Sequence, residues 1–181
     1  MIALFAVLAL QTATPAACAL TEADRVANRS LSFSQFDQGL QELPQAGWSL
    51  SQRGCYAEAI AAEQDFLIFG PKLERRETLS VTWHMVLNLA NMGREDEAAH
   101  LAASTINDAR PPQDGMDWNT YVRGVWGFLT KDRALLDRSL ASLTAAEGRR
   151  NGINAGQLRR LATCFNRPYA EAARSPACAA E

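Results

Sequence analysis

Apolar positions recur along most of the chain at three- and four-residue spacing, and no stretch alternates with the two-residue period of a strand. Tyr56, Ala59, Ile60, Glu63, Phe66 and Leu67 mark one face of a helix predicted over 56–69, stopped by Gly70 and Pro71. A second long helix is predicted over about 74–92, with Gly93 closing it as a left-handed cap. Glu95, Asp96 and Glu97 open the next helix with the charge its dipole favours, and Ala98, Leu101, Ala102, Thr105 and Ile106 form its buried stripe. Beyond a loop at 111–115, helices are predicted over 118–129 and 134–146, the second burying Leu136, Leu140 and Leu143. A break at 148–152 precedes a last pair at 153–165 and 168–173, with Pro168 placed at a first helical position. Towards the start of the chain, Thr21 is the N-cap of a short helix reaching about Leu31. A helical stretch over 33–53 follows, interrupted by Pro44, which cannot donate to the helical ladder and starts a new segment at its own position.

The turns between these helices repeat. Tyr56-Ala57-Glu58-Ala59 returns letter for letter as Tyr169-Ala170-Glu171-Ala172, with looser copies beginning at Gly93 and Lys131. The anchors Gly54, Gly93, Lys131 and Arg167 lie 39, 38 and 36 residues apart. A near-constant spacing of this size is the mark of a helical-repeat protein.

Two amphipathic helices, a tight turn and an Ala five residues after it resemble the tetratricopeptide repeat, whose usual period is about 34 residues. Ala59, Ala98 and Ala172 hold the Ala position, with Leu136 as the exception. Seven residues before each turn, where that family has a small residue, Gly47 and Gly124 agree, whereas Val86 and Arg160 do not. The resemblance implies an all-α domain over 40–175, a right-handed stack of about four helical hairpins, preceded by a helical segment at 18–39 and followed by a tail at 176–181. The combination of an apolar leader at 1–17, these repeats and the C-terminal segment Cys164-Phe165-Asn166-Arg167-Pro168-Tyr169 also resembles small exported proteins of bacteria, a likeness that adds no activity.

Composition adds the compartment. Residues 1–17 begin with an uninterrupted apolar run and end in small residues, the layout of a secretory signal peptide. The run is too short to span a bilayer, which takes about 20 apolar residues, and no second apolar segment follows. A periplasmic or secreted chain is therefore expected. In that setting the four cysteines read as disulfides. Of the three possible pairings, Cys164 with Cys178 is preferred because it pins the tail to the last hairpin, which leaves Cys18 with Cys55. Cys18 also stands at the leader boundary, where acylation would make a lipid anchor. The net charge of −2, with both signs mixed, leaves no electrostatic footprint for nucleic acid.

Candidate chemistry is sparse. His84 and His100 fall on two neighbouring antiparallel helices and could approach each other, but no third metal ligand has suitable spacing and no HExxH or CxxC occurs. No nucleophile elbow, phosphate loop or dinucleotide fingerprint is present, so no cofactor, metal or catalytic residue is assigned. Glu58 and Glu171 sit beside turns, where an acidic residue serves a helix dipole. The aromatic residues are more telling. The family resemblance places the concave surface on the first helix of each pair. In that register it includes Trp48, Trp83, Trp118, Tyr121 and Phe128, with Asn154 and Gln157 in the last pair. Such a row fits a groove for a peptide or protein partner; the plainer alternative is that these rings fill gaps between helices. The resulting expectation is a non-catalytic exported binding protein, with a cell-envelope hydrolase or a lipid-anchored accessory factor as alternatives.

Overall fold

The computed structural model describes residues 18–39, 41–107 and 116–179. The expected leader and the 111–115 loop lie outside the described residues. Ten α-helices occur among those described: α1 (Glu22–Asn28), α2 (Phe33–Phe36), α3 (Gly47–Gln52), α4 (Tyr56–Phe69), α5 (Arg75–Asn91), α6 (Glu95–Ser104), α7 (Trp118–Leu129), α8 (Arg133–Ala145), α9 (Arg149–Thr163) and α10 (Tyr169–Arg174). A 3₁₀ turn, Pro176–Cys178, follows them.

Three of the four repeated turns close with one backbone geometry. Gly54, Gly93 and Lys131 have φ of 78°, 77° and 59°, the left-handed region in which a Cβ crowds the following carbonyl. The N–H after each reaches five residues back: Cys55 to Leu50 at 2.9 Å, Arg94 to Leu89 at 3.0 Å, and Asp132 to Gly127 at 2.7 Å. The left-handed residue's own N–H bonds three residues back, to Ser51, Ala90 and Phe128. This double bond satisfies two carbonyls that a helix end would otherwise leave open, and it sends the chain straight into the next helix. It joins α3 to α4, α5 to α6 and α7 to α8. Lys131 adopts this conformation without being glycine; its Nζ lies 4.3 Å from the Phe128 ring centroid and 3.3 Å from Glu95 Oε2. The fourth turn differs. The Arg167 N–H donates three residues back to the Cys164 carbonyl, and Pro168 follows as an extended N-cap with ψ 148°, not as a first helical residue.

Each helix from α3 to α10 packs on its neighbours in sequence, α7 also meets α9, and α10 returns to α5. Small residues set the closest approaches. A Cβ on Gly47 would stand 2.9 Å from the Phe36 ring, and one on Gly124 would collide with Leu158. The Ala positions of the turn signature, Ala59, Ala98 and Ala172, are fully buried, and so is Leu136. Two apolar clusters result. The larger runs through α5 to α10; the smaller gathers α2, α3 and α4 around Phe36, which stacks on Phe66 with centroids 3.9 Å apart.

Each cluster contains one disulfide. Cys18 is bonded to Cys55 and Cys164 to Cys178, across 37 and 14 residues. Loops of these lengths stabilise a fold by about 3–4 kcal/mol each in the chain-entropy description. The first bond also occupies the Cys18 sulfur, so a chain carrying it has no thiol there to acylate.

Helix starts depart from expectation at three places. Helix α1 ends at Asn28, whose side chain turns away to donate to the Gln45 carbonyl, and Ser32 with Gln35 then caps α2. Pro44 does not begin a helix; α3 starts at Gly47. Helix α9 starts at Arg149, because Gly148 at φ 109° makes the break alone and Gly152 is helical.

The two glycine environments predict opposite effects of one substitution. A Cβ at either Gly93 or Gly152 meets no atom within 4 Å, so backbone conformation decides. Gly93→Ala should cost about 1–2 kcal/mol, whereas Gly152→Ala should add roughly 0.5–1 kcal/mol by lowering the entropy lost on folding. Urea denaturation of both variants checks this.

Candidate functional site

Helix α5 carries polar and aromatic residues on one face: Arg76, Glu77, Ser80, Trp83, His84 and Leu87 follow at three- and four-residue steps and form one wall of a cleft of about 610 Å³. The buried Trp118 and Tyr121 of α7 contribute the floor, and Arg150, Ile153 and Asn154 of α9, with Phe33 and Ser34 of α2 and Gln38, complete the lining. The helices that line it are thus α5, α7 and α9, the first members of the last three pairs, together with α2; α3 contributes no lining residue. The second members, α4, α6, α8 and α10, contribute no lining residue.

The aromatic residues expected in the groove have three different fates. Trp83, Trp118 and Tyr121 line the cleft, but they are only 3%, 6% and 8% exposed. They hold one another edge-on, with the Trp83 ring 6.0 Å from Trp118 and 5.5 Å from Tyr121. The Trp118 indole N–H donates to the Thr105 carbonyl at 2.9 Å, as a buried indole requires. Burial pushes the Tyr121 phenol up to about 12. Trp48 stands outside the cleft lining, 37% exposed, with its ring 5.8 Å from that of His84. Phe128 lies in the core, edge-on to Phe165 and Tyr169, because its position on α7 turns towards α9 and α10. Asn154 lines the cleft, whereas Gln157 is not among its lining residues. What the cleft offers a ligand is therefore its polar walls and Ile153, which is 54% exposed.

The two histidines do not meet. His100 faces a second cleft of about 660 Å³ with Met85, Arg94 and Glu97. His84 faces the first, and its partner is Asp37, with Nδ1 2.6 Å from Oδ1. Asp37 is 1% exposed and accepts two further bonds at Oδ2, from Gln38 Nε2 at 2.6 Å and Ser80 Oγ at 3.1 Å. Among the described residues no group of three metal-ligating side chains occurs. Glu171 pairs with Arg167, and Glu58 stands in the first turn of α4.

Behind Asp37 lies another buried acid. Glu63 is 1% exposed, and Asn88 Nδ2 donates to both of its oxygens at 3.1 Å. Burial pushes this carboxyl well above the usual glutamate range, and the charge of Asp37 adds to the rise against the opposing Asn88 hydrogen bond. Neither Asp37 nor Glu63 was singled out from the sequence as a candidate site residue. Glu63 nevertheless stands within the apolar stripe of its helix, the one pattern that marks a buried acid.

The raised Glu63 carboxyl fixes a sign. The folded chain holds a proton that the unfolded chain releases above its ordinary value of 4.5, so this contribution to stability is full below that pH and is lost as pH rises towards the folded value. Glu63→Gln should therefore gain stability relative to the parent chain between pH 4.5 and 8. Thermal melts across that range read it, and parallel curves for the two proteins would contradict the buried-acid assignment.

Comparison with models of known protein families, with curated proteins and with solved structures finds no match.

Proposed function

We propose that the protein is an exported tetratricopeptide-like protein, its hairpins stacked right-handedly, that binds a peptide or protein partner in the cleft lined by α5, α7 and α9. The observation that carries this reading is the segregation of the cleft onto the first helices of the pairs, the surface used for recognition in the fold the turn signature resembles. Its shape and chemistry agree. A cleft of this size with a rigid aromatic floor and polar walls suits a ligand that brings main-chain amides and charged side chains. Export is supported by the two disulfides, which persist in oxidising compartments. Among the described residues no helix is long and apolar enough to cross a membrane.

Burial of the floor determines which residues can test the reading. Removing Trp83 or Tyr121 would open a cavity of the kind that costs about 3–5 kcal/mol, so the exposed walls are the better target. A tagged mature chain and two variants, Arg150→Glu with Ile153→Asp in the cleft and Ile68→Asp outside it, are used to capture partners from an envelope extract. Ile68 is 71% exposed on α4. The parent and Ile68→Asp chains should recover the same partner and the cleft variant should lose it. Equal recovery by all three contradicts the cleft.

A further inference from the structure

Holding a peptide requires no carboxylate locked behind a cleft histidine, yet Asp37 is built for that position. It is buried, it receives three hydrogen bonds on two oxygens, and one of them comes from His84 Nδ1 at 2.6 Å. A carboxylate accepting at Nδ1 sets the tautomer: the proton sits on Nδ1 and the lone pair on Nε2. Nε2 has no hydrogen-bond partner among the described residues, and the His84 side chain is 21% exposed where it lines the cleft. A base oriented by a buried acid is two-thirds of the nucleophile, base and orienter arrangement of covalent hydrolases. The missing third is not Ser80, whose hydroxyl is spent on Asp37. Water is then the group left for His84 to activate.

We propose that the cleft hydrolyses carboxylic esters, with His84 as general base and Asp37 as its positioning residue. Nε2 takes a proton from water as the water oxygen bonds to the acyl carbon and the carbonyl oxygen becomes an oxyanion. The imidazolium, stabilised by Asp37, returns that proton to the alkoxy oxygen as the C–O bond breaks, which leaves a carboxylic acid and an alcohol. Water is the sole co-reactant. An ester suits a single imidazole because an alkoxide departs with less prior protonation than an amide nitrogen needs. Arg150 lines the same cleft and forms no ion pair among the described residues, so it is available to a developing oxyanion. The proposal rests on the cleft being the functional site, and goes beyond partner binding.

The test uses the mature chain with p-nitrophenyl acetate. Wild-type turnover should exceed that of free imidazole at equal concentration. His84→Gln should fall to the buffer rate, and His100→Gln should match the parent. Asp37→Asn keeps acceptors for Ser80 and Gln38 but presents an N–H to Nδ1, which moves the imidazole proton to Nε2 and removes the base. It should lose at least about 10-fold in kcat/KM, general-base contributions being about 10²–10⁴. The altered tautomer should appear in the ring ¹⁵N shifts, and the circular dichroism should be unchanged. A wild-type rate no higher than imidazole, or equal losses in the two histidine variants, overturns the proposal. So does an Asp37→Asn chain that melts lower with its rate intact, which would make Asp37 a strut for the segment after α2. Partner capture by His84→Gln separates the two readings: retained capture with no hydrolysis leaves binding standing and removes catalysis alone.

Discussion

The left-handed turn at Gly54, Gly93 and Lys131 is the constraint on which the remaining architecture depends. Each turn satisfies two helix-end carbonyls and fixes the direction in which the following helix leaves. The same turn geometry occurs three times, after α3, α5 and α7. The first helices can then differ in surface chemistry without disturbing the turns. The cost is a backbone conformation that side-chain-bearing residues resist, met by glycine twice and at Lys131 by a side chain that spans Phe128 and Glu95.

Both ends of the described part of the chain are tied into this frame by covalent and polar links together. Cys18–Cys55 fastens the N-terminal segment beside the first turn, and Asp37 fastens it to α5 through Ser80 and His84. At the other end Cys164–Cys178 works with Arg160, which donates to the Ala173 and Ser175 carbonyls. Helix α10 also meets the first turn of α6, where Glu95 accepts from the Tyr169 N–H. The N-terminal attachment bears directly on the cleft, since Gln38 and α2 form part of its wall.

Much of this frame was legible in the chain. Helices α4 and α7 match their expected limits, α4 because Gly54 and Gly70 act through local backbone chemistry. Lys131 was legible only by its spacing from the glycines. Gly152 misled because a helix tolerates a glycine that its sequence neighbours make look like a breaker, and Pro168 misled because an extended N-cap and a first helical position share nearly the same φ. For the site, register brought Trp83, Trp118, Tyr121 and Asn154 to the cleft but said nothing of how far neighbouring rings would bury one another. The Asp37 to His84 contact joins residues 47 apart. No motif spans that distance, and only the fold brings the two together.

The central claim is that the first helices, at the cleft, carry the proposed recognition, while the second helices carry structure alone. Site-specific photocrosslinking in the native cell tests it most directly, with a benzophenone side chain placed at Ile153 in the cleft or at Ile68 on α4. Both positions are exposed, so reactivity reports on what lies against each face. The account predicts a discrete adduct from position 153 and none from position 68. An adduct from 68 alone, or the same adducts from both, would contradict it.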